Sequence, residues 1–217
     1  MFARLLALLA AIMLTTCTVE RTSDPVDSVA ETSSSVDRFF INLEPVRHLY
    51  CGNSTGTGSL IGSDRVLTAA HVTGTVRECR DDASKTMGQV IYVNRDLDIA
   101  VVQFPVAQLP TRTMRYSCKG FREKKTYYAI GWQNGTELVI NRVVGTKIID
   151  DRSDKKSGTL FNHVAMVRGY IIPGMSGGPI VDEDGVMVGT NQATNHDGRA
   201  WSRPISDTYL CRKDQPK

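Results

Sequence analysis

From Phe39 onward the chain never settles into the 3.6-residue apolar period of a long helix. Short apolar runs rich in β-branched residues recur instead, with turn formers between them. Gly58–Ile61 stops at Gly62-Ser63-Asp64 and Arg65–Thr68 follows, which reads as a hairpin. Gly88–Val93 and Ile99–Phe104 come next, parted by Asn94-Arg95-Asp96. A second set comprises Thr126–Trp132, Leu138–Ile149, Phe161–Arg168, Pro179–Asp182 and Val186–Thr190. Asn134-Gly135 and Glu183-Asp184-Gly185 supply the turns. Pro105, Pro110 and the polar stretch 111–119 mark a boundary between the two sets. The pattern predicts an all-β fold of two packed six-stranded antiparallel β-barrels, at about 39–112 and about 113–205. A short C-terminal helix is expected over Ser206–Arg212.

The first residues are of another kind. Arg4 precedes a wholly apolar run, Leu5–Leu14, which is too short for a mature membrane span and suits the core of a signal peptide. The expectation is an exported protein with a signal peptide over residues 1–17. Leu14-Thr15-Thr16-Cys17 resembles a bacterial lipobox, with Thr16 where Gly, Ala or Ser is usual. Lipidation at Cys17 with a membrane anchor, and plain secretion, both fit. Residues 18–38 are rich in Ser, Thr, Asp and Glu, with few large apolar side chains, and read as a flexible linker. The remainder, 39–213, is long enough for a substantial core.

Setting Cys17 aside leaves Cys51, Cys79, Cys118 and Cys211. An even number in an exported chain implies two disulfides, with three pairings open. Cys51 with Cys79, and Cys118 with Cys211, is the preferred one. A net charge of +3 over 217 residues argues against a nucleic-acid partner. No His, Cys and Asp spacing suits a metal, and no cofactor motif occurs.

Within this β pattern Gly174-Met175-Ser176-Gly177-Gly178-Pro179 stands out, because it suits neither helix nor strand. Glycine reaches backbone angles closed to other residues. A turn of this kind can aim the N–H groups of Gly174 and Ser176 at one point, where an oxyanion would be stabilised while the Ser176 hydroxyl attacks a carbonyl. A plain Gly-rich β-turn fits the same hexapeptide.

A serine hydroxyl needs a base to become a nucleophile. His71, in Thr68-Ala69-Ala70-His71-Val72 at the end of a strand pattern, is the best placed of the 4 histidines. His163 and His196 are left outside the site. The base needs a carboxylate to fix its tautomer. Asp98 stands at the mouth of the apolar run Ile99–Val102, and Asp96 reads as a solvated turn residue.

Taken together, Thr68-Ala69-Ala70-His71, Asp98-Ile99-Ala100 and Gly174–Pro179 resemble the signatures of the chymotrypsin-like, or trypsin-fold, serine peptidases, in that family's order. Gly58–Ile61 and Ala129-Ile130-Gly131-Trp132 are similar too, so the match runs from about Cys51 to Pro204. The resemblance implies His71 as general base then acid, Asp98 as its orienter, Ser176 as nucleophile, and the amides of Gly174 and Ser176 as the oxyanion hole. It implies a serine endopeptidase acting on protein or peptide substrates.

Animal digestive and clotting members carry Asp directly before the serine, paired with an N-terminus beginning Ile-Val-Gly-Gly. Here that residue is Met175, and no Ile-Val-Gly-Gly occurs. The chain is therefore closer in character to bacterial glutamyl-endopeptidase-like and HtrA-like domains. No extension of PDZ length follows Cys211, so no PDZ domain is expected. Six residues before the serine stands Tyr170, where Lys/Arg-specific members place Asp. With Asn191 and Gln192, on the strand that lines the family's pocket, it is a candidate substrate-binding residue. Two other functions share the fold: a non-catalytic binding protein, and an esterase using the same serine. The first would usually lack a triad residue, and the α/β-hydrolase order of Ser, Asp, His is not this chain's.

Overall fold

The computed structural model describes residues 41–211 apart from 150–151, 155–158, 162–163 and 195–198. The leader, Cys17, the linker, His163 and His196 lie outside the described residues.

Six strands form the first barrel: β1 (Val46–Cys51), β2 (Ser54–Leu60), β3 (Arg65–Thr68), β4 (Glu78–Asp81), β5 (Met87–Asn94) and β6 (Ile99–Gln103). A one-turn helix, α1 (Ala70–Thr73), leaves the end of β3. The barrel closes in the order β1-β2-β3-β6-β5-β4, with β4 returning to pair with β1. The second half supplies β7 (Thr126–Gln133), β8 (Glu137–Ile149), β9 (Arg152–Asp154), β10 (Thr159–Phe161), β11 (Val164–Arg168), β12 (Pro179–Val181), β13 (Met187–Thr194) and β14 (Arg199–Pro204). β9 and β10 pair only with each other, and the remaining six close as β11-β14-β13-β12-β7-β8. Closure removes exposed strand edges from both sheets. This is the expected pair of six-stranded antiparallel barrels.

The short runs fold this way because each strand sends alternate residues inward. Leu49, Leu60, Val66, Val72, Val102 and Phe104 fill the first barrel. Phe121, Tyr127, Val143, Val167, Met175 and Ile180 belong to the core of the second. A third cluster joins Leu67, Ile99 and Val101 to Ile130, Val181 and Met187, so the barrels share a dry seam. Disulfides Cys51–Cys79 and Cys118–Cys211 are present. The first joins β1 to β4 around the segment that carries α1. The second ties the segment before β7 to the chain beyond β14.

Two local expectations change. The run Phe161–Arg168 is split, since Phe161 ends β10 while Val164 opens β11 in another sheet. The terminal helix is a 3₁₀ turn at Ile205–Asp207. Thr208 N–H bonds back to the Ile205 carbonyl and Cys211 N–H to that of Thr208, both at 3.0 Å, which is the three-residue step of a 3₁₀ turn. The Cys211 bond to Cys118 then fixes the chain end.

Candidate active site

α1 begins at Ala70, and the buried small side chains of Ala69 and Ala70 let it turn tightly off β3. The first N–H groups of any helix lack an internal partner. No side chain caps α1 from its own N-terminus. Asp98, in the turn before the neighbouring strand β6, does so: its Oδ1 accepts the His71 backbone N–H at 2.9 Å, and its Oδ2 lies 2.8 Å from His71 Nδ1. One carboxylate thus fixes both the main chain and the ring of one histidine. An ionised carboxylate only accepts, so Nδ1 carries the ring hydrogen and the Nε2 lone pair is left free. The Asp98 side chain is 8% exposed and that of His71 48%, so a shielded acid holds an accessible imidazole.

Asp98 sits in a turn with φ of +51°, in the left-handed region. The Asn94 side chain accepts Leu97 N–H at 2.9 Å, and the Arg95 carbonyl accepts Asp98 N–H at 3.2 Å. The second barrel grips the same turn. Gln192 Nε2 donates to the carbonyls of Leu97 and Asp98 at 3.0 and 3.2 Å, and the buried Arg203 Nε donates to Leu97 at 2.8 Å. Gln192 is the unmatched residue of a β-bulge in β13, between Asn191, paired with Ser202, and Ala193, paired with Trp201. A bulge re-aims a side chain, here across the seam. Asp96, by contrast, is exposed, as its reading as a solvated turn residue anticipated.

Ser176 lies in the loop between β11 and β12, close against the histidine's strand. The Ser176 carbonyl accepts Thr57 N–H at 2.8 Å. A Cβ on Gly177, whose φ is +82°, would come within 2.2 Å of Thr68 Oγ1 and 2.6 Å of Ala69 N. Gly56 is wedged between Val72 of α1 and the Ser176 carbonyl. Only glycines permit these approaches. The Ser176 hydroxyl donates to the Gln192 carbonyl at 3.2 Å; among the hydrogen bonds of the described residues, none joins it to His71 directly.

The loop amides divide cleanly. Met175 N–H is taken by the Ile172 carbonyl at 3.0 Å and Gly177 N–H by Asn191 at 2.7 Å. Among the described residues no hydrogen bond uses the N–H of Gly174 or of Ser176. Gly174 has φ of +92°, and a Cβ there would lie 2.3 Å from the Trp132 carbonyl. Two donors, on either side of Met175, are therefore without a partner among the described residues.

A model of the trypsin-like peptidase domain matches residues 56–189. The chain belongs to that family. HhoB of Synechocystis sp., a protein named as a serine protease, is 31% identical over 159 residues, covering 70% of this chain and 38% of its own. A protein of Arabidopsis thaliana named as Do-like protease 14 is 26% identical over 197 residues, 82% of this chain and 46% of its own. The chain thus spans less than half the length of either relative. Among solved structures, the active form of the Rv3671c protease from M. tuberculosis superposes with a TM-score of 0.67 at 20% identity, covering 76% of this chain and 78% of that one. The HtrA-type protease AlgW gives 0.64 at 23%, covering 75% and 56%. At such identities the likeness shows the shared fold. By family, then, this is a trypsin-like peptidase domain.

Met175 is fully buried in the second-barrel core, and its Sδ accepts Ile172 N–H at 3.3 Å. The three candidate specificity residues differ in exposure. Tyr170 is 69% exposed, with its carbonyl accepting from Asn141 Nδ2 at 3.0 Å. Asn191 and Gln192 are buried, and their side-chain nitrogens are spent on carbonyls within the fold. Among the described residues no group of three His, Cys, Asp or Glu could hold a metal.

Sequence reasoning passed over Thr57, Arg203 and the positioning use of Gln192. One signal for Thr57 was legible: glycines on both sides of it inside a strand mark a close backbone approach.

Proposed function

We propose that this peptidase domain hydrolyses peptide bonds through an acyl-enzyme formed on Ser176. The observation that carries the reading is the double capture of His71 by Asp98, which presents a free Nε2 from a fixed ring. A rotation of the Ser176 hydroxyl away from the Gln192 carbonyl would bring its hydrogen to Nε2; such bonds often form only once substrate is bound. His71 Nε2 then takes the proton as Oγ attacks the scissile carbonyl carbon. The resulting oxyanion is received by the N–H groups of Gly174 and Ser176, at the point where negative charge develops. The imidazolium returns the proton to the leaving amine as the C–N bond breaks, leaving an ester on Ser176. Water, deprotonated by the same nitrogen, attacks that ester; the imidazolium returns the proton to Ser176 Oγ as the ester C–O bond breaks and the acid is released. Asp98 stays ionised throughout and stabilises the imidazolium.

The buried Met175 supports a site that needs no freshly cut N-terminus: its thioether is held by packing where an ion-paired acid would need a partner. Export is supported by the apolar Leu5–Leu14 run and by the two disulfides, which persist in oxidising compartments. Cys17 is the candidate for a lipid anchor, and detergent partitioning of wild type against Cys17→Ser tests it; equal partitioning removes the anchor.

The deciding experiment is intact mass after exposure to a fluorophosphonate, on wild type and Ser176→Ala. One adduct on wild type and none on the variant is expected. A folded, disulfide-intact wild type that takes no adduct overturns the reading.

A further inference from the structure

We propose that Thr57 and Asn191 are positioning residues for the two oxyanion-binding amides, an inference that rests on the Ser176 reading above. A trans peptide points its carbonyl and its N–H in opposite directions. Holding a carbonyl from behind therefore aims the N–H of the same peptide forward. The loop contains three successive peptides, from Pro173 to Ser176, and each is held.

The Pro173 carbonyl accepts Asn134 N–H at 2.8 Å, from the β7–β8 turn, which directs Gly174 N–H the other way. The Met175 carbonyl accepts Asn191 Nδ2 at 3.2 Å and Gly178 N–H at 3.0 Å, which directs Ser176 N–H outward. Asn191 Nδ2 is itself anchored on the Ile130 carbonyl at 2.9 Å. The middle peptide faces the opposite way and is fixed at both edges: Met175 N–H to Ile172, and the Gly174 carbonyl to Thr57 Oγ1 at 2.8 Å. If this middle peptide flipped, Gly174 would turn with it and the two outward N–H groups would no longer converge.

Thr57 is fully buried and stands in the first barrel, whereas the loop belongs to the second. Its hydroxyl bridges the two, donating to the Gly174 carbonyl and accepting Trp132 N–H at 2.9 Å. Its backbone N–H reaches the Ser176 carbonyl, and its own carbonyl accepts Thr68 Oγ1 at 2.7 Å. The oxyanion site of the second barrel is thus set from the first, by a side chain that touches no substrate. Asn191, a candidate pocket residue from sequence, acts from beneath the loop.

The test uses the fluorophosphonate again, now for its kinetics on the full chain, with separate values for the limiting rate of adduct formation and for the concentration giving half that rate. Thr57→Val keeps the shape and removes the hydroxyl. The limiting rate is expected to fall by about tenfold or more with the half-saturating concentration little changed, because a displaced oxyanion donor affects the transition state; the melting temperature falls as well, since the Gly174 carbonyl and Trp132 N–H lose their partner. Thr57→Ser is expected to restore the rate. Asn191→Leu provides a second route should Thr57→Val fail to fold, since it also removes a buried Oδ1 that accepts no hydrogen bond among the described residues; the same split between rate and half-saturation is expected. Labelling of Thr57→Val or Asn191→Leu at the wild-type rate, or a Thr57→Ser variant as slow as Thr57→Val, overturns the assignment. An unlabelled but folded wild type overturns the Ser176 reading itself, which separates the two failures.

Discussion

Gln192 Nε2 lies 3.2 Å from the carbonyl of Asp98, although one residue belongs to the second barrel and the other to the first. Arg203, wholly buried, reaches the preceding carbonyl of Leu97 at 2.8 Å and faces Asp207 at 3.8 Å. The turn that presents the acid is therefore gripped by the opposite barrel. Arg203→Leu takes one of two donors from the Leu97 carbonyl, which keeps Gln192, and removes the buried cation facing Asp207. A loss of about 2–4 kcal/mol is expected, read as a lowered denaturant midpoint. An unchanged midpoint would show that the clasp contributes nothing to stability.

Asp98→Asn separates the two uses of that carboxylate. An Asn oxygen can still accept His71 N–H, so α1 should remain in place and the melting temperature should change little. An amide nitrogen facing Nδ1 favours the tautomer with the hydrogen on Nε2, where it blocks proton uptake. A fall of about 10⁴-fold in kcat on a peptide substrate is expected at neutral pH. Activity within tenfold of wild type would remove Asp98 from the proposed role.

Gly177→Ala is expected to abolish folding or to cost about 3 kcal/mol or more. The added Cβ meets Thr68 Oγ1 at 2.2 Å and the Thr57 carbonyl at 2.4 Å, in a left-handed backbone. Circular dichroism melts decide it, and a wild-type melt would contradict the tight seating of the loop on β3.

His48 gives the stability a pH dependence. It is buried, stacks on Trp132 with ring centroids 5.1 Å apart, and bonds Thr55 Oγ1 at 2.7 Å. Burial lowers its pKa below the ordinary 6.5, outweighing the upward pull of Asp82. Between the lowered value and 6.5 the unfolded chain binds a proton that the folded chain refuses, so stability falls as the solution is acidified through that window. Urea midpoints at several pH values should decline from neutral toward acid for wild type and decline less for His48→Phe. Parallel profiles would show that His48 is not the source.

The residues that carry local motifs were legible in the sequence, because a tight turn or strand end demands particular side chains wherever it occurs. His71 follows two small residues, Asp98 opens an apolar strand, and Ser176 sits among glycines. The barrels were legible as a rhythm of strands, though β1, β4 and β14 lie in mixed polar stretches that carry little alternation. Arg203 and Gln192 were not legible as positioning residues, and Thr57 showed only through the glycines that flank it. Each acts by donating to a backbone carbonyl far along the chain, and a carbonyl acceptor leaves no mark on residue identity. Asn191 and Gln192 could be aligned with a pocket strand, yet a bulge and complete burial turned their side chains inward.

The bond between Cys118 and Cys211 spans 93 positions and encloses every strand of the second barrel. A peptidase is exposed to its own kind, and its surface turns are the first places to be nicked. A single cut between those cysteines leaves the two fragments covalently joined, with the barrel strands still paired around the break. Self-digestion of this half would then pass unseen on a non-reducing gel and separate into fragments only after the thiols are freed.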